Sequence, residues 1–241
     1  MRRASLLALT AMTFLITAIA VSAFFRMEGG FPKNTSEKPA YRAVVSFTFD
    51  DGPGENTVEI LKLLKQYEGT ATFFINGKNI AGRENTLKTA VAWGNELGNH
   101  TYGHIALTGL TDEQIKEEIS RTQKAVKAVL PDYKLRFVRP PYGRLNAKTA
   151  AAIEYPIVLW TIDSGDWRGI GPGEIKKSVL NDIKDGDIVV FHDDASGTER
   201  ALQMILPVLR DRGFRILTVS ELMRIKGYRP LPREIIRQVY S

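Results

Sequence analysis

The chain has 241 residues, of which 44% are hydrophobic and none is cysteine. This length supports one domain with a substantial core, and the lack of cysteine excludes disulfide bonds and thiolate metal ligands. Any metal site must therefore use histidine and carboxylate ligands. The formal charge of +6 is a mild excess. Because the basic residues are scattered and form no arginine-rich helix, we expect no nucleic-acid partner.

The N-terminus has the pattern of an export segment. Arg2 and Arg3 precede an uncharged, mostly apolar run at residues 4–25, which is longer than a signal-peptide core and close to the length that spans a bilayer. Small residues at 21–23 also offer a cleavage site. We therefore predict that residues 1–26 are a membrane anchor or a cleaved signal peptide, and that the protein is extracytoplasmic, either membrane-anchored or secreted.

Residues 27–41 are rich in Gly, Pro, Asn, Ser and charge, without apolar periodicity, and are predicted to be a linker. The folded domain is placed at residues 42–228. Residues 229–241 form a basic C-terminal tail. The apolar spacing in this tail favours a short amphipathic helix packed on the domain over a surface contact.

Within the domain, short apolar runs alternate with helical patterns. The predicted strands are 43–48, 71–75, 136–138, 157–161, 187–191 and 214–218. The predicted helices are 57–67, 112–129 and 198–212, and Thr111 with Gln114 resembles a capping box that opens the second of them. The alternation predicts an α/β domain with a parallel sheet, either open or closed into a barrel.

Polar segments follow the predicted strands at their carboxyl ends, where parallel α/β folds place their functional sites. These segments are TFDDGP at 48–53, RPPYG at 139–143, DSGDW at 163–167 and HD at 192–193. Each of them alone also fits an ordinary turn. Asp50 and Asp51 are a stronger indication, because adjacent carboxylates need a cation or an arginine nearby.

The segment HTYGH places His100 and His104 four residues apart, so both imidazoles can reach one ion if the chain turns back on itself. Loop histidines bonded to the backbone are the alternative, but the chain has only three histidines, and the third, His192, also follows an apolar strand. Asp51, His100 and His104 would form a two-histidine, one-carboxylate site for a divalent metal. Zn²⁺ is the first choice, with Co²⁺ or another divalent ion as the alternative, and its chemistry suits amide or ester hydrolysis.

Together these segments resemble the polysaccharide deacetylases that share the NodB homology domain, grouped as family 4 carbohydrate esterases. Five motifs occur in the family's order between Val44 and Leu222: TFDDGP, HTYGH, RPPYG, DSGDW and VFHD. The resemblance implies a distorted (β/α) barrel with about seven parallel strands. It also implies metal-dependent deacetylation of an N-acetylated polysaccharide. Peptidoglycan amino sugars are the expected substrate, because the leader would hold the domain beside the cell's own wall.

The resemblance assigns roles to the metal ligands and the general base. Asp51, His100 and His104 would bind the metal. Asp50 would be the general base that deprotonates the attacking water on the metal, and Arg139 would orient Asp50.

The resemblance also assigns the remaining groups of the site. The Tyr142 N–H would stabilise the oxyanion, and His192, held by Asp166, would be the general acid. Trp167 would wall the acetyl pocket. Val190 stands where the family usually has leucine and would leave that pocket slightly larger.

Asp163 and Thr101 match the motifs as well and are expected to support the site, Thr101 by positioning the histidine loop. Two other functions remain open: a hydrolase of another amide on the same fold, and a non-catalytic protein that binds wall glycan. Metal content separates the second from an enzyme, because a pure binder has no need of the three ligands. We expect the domain to be a monomer.

Overall fold

Strand β1 (Ala43–Asp50) is the central strand of the structure, a computed structural model that describes residues 41–240. Apart from Ala43 its residues are buried, as in a parallel sheet that is covered on both faces. The predicted leader at 1–26, and the predicted linker up to residue 40, lie outside the described residues. None of the helices between residues 41 and 240 combines the length and the apolar character needed to span a bilayer.

The main sheet contains six parallel strands. β1 pairs with β2 (Thr72–Ile75), β6 (Ile188–His192) and β7 (Phe214–Leu217), while β3 (Glu96–Asn99) pairs with β2 and β5 (Ile162–Asp163) pairs with β6. The order is therefore β3-β2-β1-β6-β5, with β7 beside the first half of β1. The predicted α/β class with a parallel sheet is confirmed.

A second, two-stranded parallel ladder is formed by β4 (Ile157–Val158) and β8 (Ile235–Ile236). Single bridges from Val138 to Asn99 and to Ile157 connect it to the main sheet. The predicted strand at 136–138 contributes no more than these bridges, because Pro140 and Pro141 follow it and lack N–H donors. Strand pairing is consequently not continuous, and the implied barrel is not closed.

Within residues 41–240, seven α-helices connect or flank the strands. They are α1 (Thr57–Gln66), α2 (Glu84–Ala92), α3 (Asp112–Val129), α4 (Ala147–Ala152), α5 (Pro172–Leu180), α6 (Thr198–Asp211) and α7 (Val219–Ile225). The predictions at 57–67, 112–129 and 198–212 correspond to α1, α3 and α6. The capping box before α3 is present: the Gln114 N–H donates to Thr111 Oγ1 at 3.3 Å, and the Thr111 N–H donates to Gln114 Oε1 at 2.9 Å.

The alternation of side chains along β1 separates the core from the site. Phe47 and Phe49 point to the helix-covered face, where Phe49 stacks between Phe73 and Phe191 with ring centroids 4.9 and 5.5 Å apart. Because successive side chains of a strand point to opposite faces, Thr48 and Asp50 lie on the other face. The aromatic core thus fixes the strand that carries the TFDDGP segment.

The C-terminal tail packs on the domain, but as an extended segment rather than the predicted helix. The Leu159 N–H donates to Ile236 O at 2.7 Å, and the Val239 N–H donates to Gly186 O at 2.8 Å. Ile236 and Val239 are buried, whereas Ile235 is 47% exposed. Strand β4 offers backbone partners to the tail, and pairing with it outweighs the helical spacing of the tail's apolar residues.

Candidate active site

The carboxyl ends of β1 and β6 bring Asp50 and His192 side by side. The two residues are partners in the register of the parallel pair, and the Asp193 N–H donates to Asp50 O at 3.2 Å just beyond it. The neighbouring strands β2 and β3 end at the same edge, at Ile75 and Asn99. The polar segments that were identified at strand ends therefore meet at one edge of the sheet.

Asp51, His100 and His104 converge on one point. One ligand atom from each residue lies within 4.8 Å of the others. Asp51 Oδ1 is 3.1 Å from His104 Nε2 and 3.7 Å from His100 Nε2. Two ligands bound tetrahedrally at the usual zinc distances of about 2.0–2.1 Å are themselves about 3.3 Å apart, so the set fits a divalent ion.

Neighbouring groups orient these ligands. His100 Nδ1 is 2.7 Å from Arg139 O, which leaves Nε2 free to face the site, and Asn76 Nδ2 donates to Asp51 Oδ1 at 2.9 Å. Burial, reinforced by the adjacent His100, lowers the pKa of His104. A neutral imidazole is the form that binds metal, so the site favours that form.

The histidine loop is held by helix α3. Glu118, which is buried, accepts the backbone N–H groups of Tyr102 at 3.1 Å and Gly103 at 2.7 Å. Thr101 Oγ1 accepts the N–H of His104 at 3.2 Å, so Thr101 bridges the turn between the two histidines. These bonds fix the return of the chain that lets both histidines face Asp51.

Backbone conformations with positive φ concentrate in the site. Asp51, Thr101, His104 and Tyr142 have φ values of 74°, 69°, 57° and 62°. Such values cost free energy for residues other than glycine and persist where the surrounding structure determines them. The turns that aim the ligands are therefore set by the contacts around them rather than by local preference.

Arg139 is buried, and its guanidinium links Asp50 on β1 to the end of β4. Its Nη1 donates to Asp50 Oδ1 at 2.8 Å and to Thr48 Oγ1 at 2.7 Å. Its Nε and Nη2 donate to the carbonyls of Val158 and Leu159 at 2.9 and 3.0 Å. The second oxygen of Asp50, Oδ2, is left facing His100 Nε2 at 3.7 Å. Arg139 thus holds one carboxylate oxygen while the other points to the ligand cluster.

His192 is paired with a buried carboxylate. Asp166 Oδ1 lies 2.8 Å from His192 Nδ1, and Asp166 Oδ2 accepts the His192 N–H at 2.8 Å and the hydroxyl of Thr198 at 2.6 Å. Burial lowers the pKa of His192, but the bond to Asp166 and the charges of Asp50, Asp166 and Asp51 outweigh it and raise this pKa to about 9. Although burial opposes it, hydrogen bonding to His192 and Thr198 lowers the pKa of Asp166.

A cavity of about 430 Å³ opens in front of these groups. It is lined by Asp50, Asp51, His100, His104, Tyr142, Arg144, Trp160, Asp163, Trp167 and His192. Two of its aromatic side chains are exposed to solvent, Tyr142 at 60% and Trp167 at 59%. The arrangement joins a polar floor to aromatic walls, which is a form that ligand sites commonly take.

Of the residues predicted for the pocket walls, Tyr142, Asp163 and Trp167 line this cavity, and Val190 is not among its lining residues. The Tyr142 N–H makes no hydrogen bond to any other described residue. Trp167 Nε1 donates to Asp163 at 3.3 and 3.4 Å, so Asp163 steadies the indole. Val190 is buried in β6, two residues before His192, and therefore points to the same face of the strand as His192.

Several supporting residues were not identified from the sequence. Asn76 directly follows β2, so the rule of polar residues at strand ends could have found it. Glu118 lies inside α3, and Thr198 begins α6, where no strand-end signal exists. Asp193 was recognised as part of the VFHD motif but without a role; burial raises its pKa to about 7, and its Oδ2 accepts the Thr57 hydroxyl at 2.5 Å.

Comparison with known proteins identifies relatives of this arrangement. The Polysaccharide deacetylase family profile matches residues 37–158, and the DSGDW and VFHD motifs follow that stretch. A peptidoglycan-N-acetylglucosamine deacetylase of Bacillus cereus is 38% identical over 201 residues, which cover 80% of this chain and 93% of that protein.

Two further relatives extend the comparison. The peptidoglycan-N-acetylmuramic acid deacetylase PdaC of Bacillus subtilis is 34% identical over 199 residues, which span 82% of this chain and 42% of that longer protein. The structure of a family 4 acetyl xylan esterase from Clostridium thermocellum in complex with a cobalt ion is similar, with a TM-score of 0.76 and 26% identity. That similarity covers 81% of this chain and 98% of the esterase. The chain therefore belongs to the polysaccharide deacetylase family.

Proposed function

We propose that this protein is a metal-dependent deacetylase that hydrolyses the acetamido groups of peptidoglycan amino sugars. The observation that carries the proposal is the meeting of Asp51, His100 and His104 beside two carboxylate-linked groups, Asp50 with Arg139 and His192 with Asp166. Hydrolysis of an amide needs an activated water, a stabilised oxyanion and a proton for the leaving amine. Each need has a candidate group at this cavity.

The three ligands fit a divalent ion, and we propose Zn²⁺, with Co²⁺ as the alternative. When bound, such an ion would lower the pKa of a water and polarise the acetyl carbonyl. Asp51, His100 and His104 would hold it. All three residues line the cavity, so a water and an acetyl group in the cavity would have access to the ion.

Asp50 is the proposed general base. Its Oδ1 is occupied by Arg139, and its Oδ2 points to the ligand cluster, so Oδ2 can take the proton of the attacking water. Oxygen of that water then bonds to the acetyl carbonyl carbon. The Tyr142 N–H, which has no partner among the described residues, donates to the oxyanion that forms.

His192 is the proposed general acid. Its Nδ1 is held by Asp166, which leaves Nε2 on the cavity side. The raised pKa keeps the imidazole protonated at neutral pH. When the carbon–nitrogen bond breaks, Nε2 gives its proton to the amino sugar, and acetate leaves as the second product. Trp167 and Val190 would enclose the acetyl methyl group.

The relatives and the predicted leader support the proposed substrate and location. Two of the relatives described above act on peptidoglycan sugars, as their names state. We propose that the enzyme works outside the cytoplasm on the cell wall as a monomer. Residues 1–26 would carry it there, as an anchor or as a cleaved signal.

Acetate release tests the proposal. The purified protein is incubated with peptidoglycan and with N-acetylglucosamine oligomers, before and after chelation, and then with Zn²⁺ or Co²⁺ added back. We expect release that stops on chelation and returns with the metal, and no release by the His104→Ala variant under the same conditions.

The other outcomes identify the alternatives. A protein that holds stoichiometric metal but releases no acetate from either polymer would be a hydrolase of another amide or acetylated glycan. A protein that neither binds metal nor releases acetate would be a glycan-binding protein.

A further inference from the structure

Two arginines of the site are in opposite situations, and of these only Arg144 lines the cavity. Arg139 is fully buried, and its guanidinium is bonded to Asp50, Thr48 and two carbonyls. Arg144 is exposed and lines the same cavity. Its guanidinium makes no hydrogen bond or ion pair to any other described residue, and only its backbone N–H is engaged, by Pro141 O at 3.2 Å. Its donors are therefore available to a ligand.

Contacts with aromatic rings place Arg144 close to the ligand cluster. Its guanidinium carbon lies 5.4 Å from the centroid of the Tyr142 ring, and that ring lies 4.7 Å from the ring of His104. The guanidinium is thus separated from a metal-ligating histidine by a single aromatic side chain. Arg144 is also the one arginine or lysine among the residues that line the cavity, so it is the fixed positive charge available to an acidic substituent of a sugar held there.

We infer that Arg144 selects N-acetylated glycans that carry a carboxylate close to the scissile acetamido group. The inference rests on the proposed function. An arginine fork matches a carboxylate in geometry and charge. In N-acetylmuramic acid the lactyl ether stands on the ring carbon next to the one that bears the acetamido group. Its carboxylate is free when no stem peptide is attached, and the stem peptide supplies other carboxylates when it is present. Chitin-type oligomers carry none.

Kinetics on three substrates test the inference: peptide-free glycan strands, intact peptidoglycan and N-acetylglucosamine oligomers. We expect Arg144→Gln to lower the ratio of kcat/KM for the carboxylate-bearing glycan to that for the oligomers about tenfold, the usual effect of losing one charge-assisted hydrogen bond. Arg144→Lys should recover part of it. In the wild type, added salt should raise KM for the carboxylate-bearing glycan more than in Arg144→Gln.

Arg200→Gln is the matched control, because Arg200 is also exposed but lies on α6 and bonds to Gln203. A loss confined to peptide-free strands would assign the lactyl carboxylate, and a loss confined to intact peptidoglycan would assign a stem-peptide carboxylate. An unchanged ratio in Arg144→Gln, or an equal change in Arg200→Gln, would overturn the inference. Wild-type protein that releases acetate from none of the three substrates would refute the proposed function itself.

Discussion

At the scale of single residues, the two adjacent carboxylates Asp50 and Asp51 occupy different surroundings. Asp50 is buried and bonded to Arg139, whereas Asp51 is partly exposed, bonded to Asn76 and close to both histidines. Both carboxylates lie 3.7 Å from His100 Nε2, but Asp50 is held by Arg139, whereas Asp51 also contacts His104. This difference is the physical basis for giving one the role of base and the other the role of ligand.

Asp50→Asn separates these two roles. Asparagine has nearly the same shape but cannot accept a proton, so we expect kcat to fall about 10²–10⁴-fold, the usual contribution of a general base. Bound metal should be retained, because Asp51, His100 and His104 are unchanged. Acetate release measured at fixed time points gives kcat, and metal analysis of the same sample gives the bound metal. Asp51→Asn is the matched variant and should lose metal; an active Asp50→Asn enzyme would refute the assignment.

Asp166→Asn tests the role of His192 through pH. A general acid must be protonated, so activity is lost as pH rises through its pKa, which Asp166 helps to raise to about 9. Removing the negative charge of Asp166 lowers that pKa. The alkaline limb of the kcat profile should therefore shift to lower pH, with a reduced maximum. If the alkaline limb of the Asp166→Asn profile lay at the same pH as in the wild type, His192 would not be the group that titrates.

The sequence predicted residues whose position follows from topology. Asp50 and His192 are the last residues of β1 and β6, Arg139 directly follows the bridge at Val138, and parallel pairing brings such positions together. Glu118 and Thr198 could not be predicted in this way, because they lie on helices and their roles depend on tertiary packing. Asn76 does stand at a strand end and could have been found there, but its hydrogen bond to Asp51 joins two loops and is not encoded in a local pattern.

At the scale of elements, β3 shows why a strand escaped prediction. Its residues are Glu96, Leu97, Gly98 and Asn99, which lack an apolar pattern. Hydrogen bonds satisfy the buried polar side chains of the strand. Glu96 accepts a hydrogen bond from the Thr72 hydroxyl, and Asn99 Nδ2 donates to Ile119 O. A side chain at Gly98 would meet the Phe74 ring at 2.5 Å. The strand is thus specified by its neighbours and not by its own propensity.

Helix α3 has a similar relation to the histidine loop, and Glu118→Ala tests it. The substitution leaves the N–H groups of Tyr102 and Gly103 without their acceptor, so the turn between the ligands loses its support. We expect metal affinity to fall about 10–100-fold, as for other residues that orient ligands. Metal titration with a competing chelator measures the change. Glu117→Ala, at an exposed position on the same helix, is the control. Equal metal affinities in the two variants would show that the histidine loop keeps its conformation without Glu118.

At the scale of the whole molecule, the main sheet gathers motifs that are far apart in the chain. Asp50 and His192 lie on neighbouring strands, and the DSGDW segment follows β5 beside β6. The second ladder pairs β4 with β8. Strand β4 contains Val158, whose carbonyl accepts a hydrogen bond from Arg139 Nε. The C-terminal tail, which contains β8, therefore supports β4. Strand β4 in turn holds Arg139, the residue that bonds to the proposed base Asp50.

Replacing Ile236 with alanine tests that structural role. Ile236 is 2% exposed, whereas its neighbour Ile235 is 47% exposed. A buried isoleucine truncated to alanine costs about 2–5 kcal/mol of unfolding free energy, while the exposed one should cost under about 1 kcal/mol. Urea unfolding of both variants measures the two costs. We also expect Ile236→Ala to lower kcat modestly if β4 shifts with its partner, since Val158 then moves relative to Arg139. Equal unfolding free energies for Ile235→Ala and Ile236→Ala would mean that the tail does not belong to the cooperative fold.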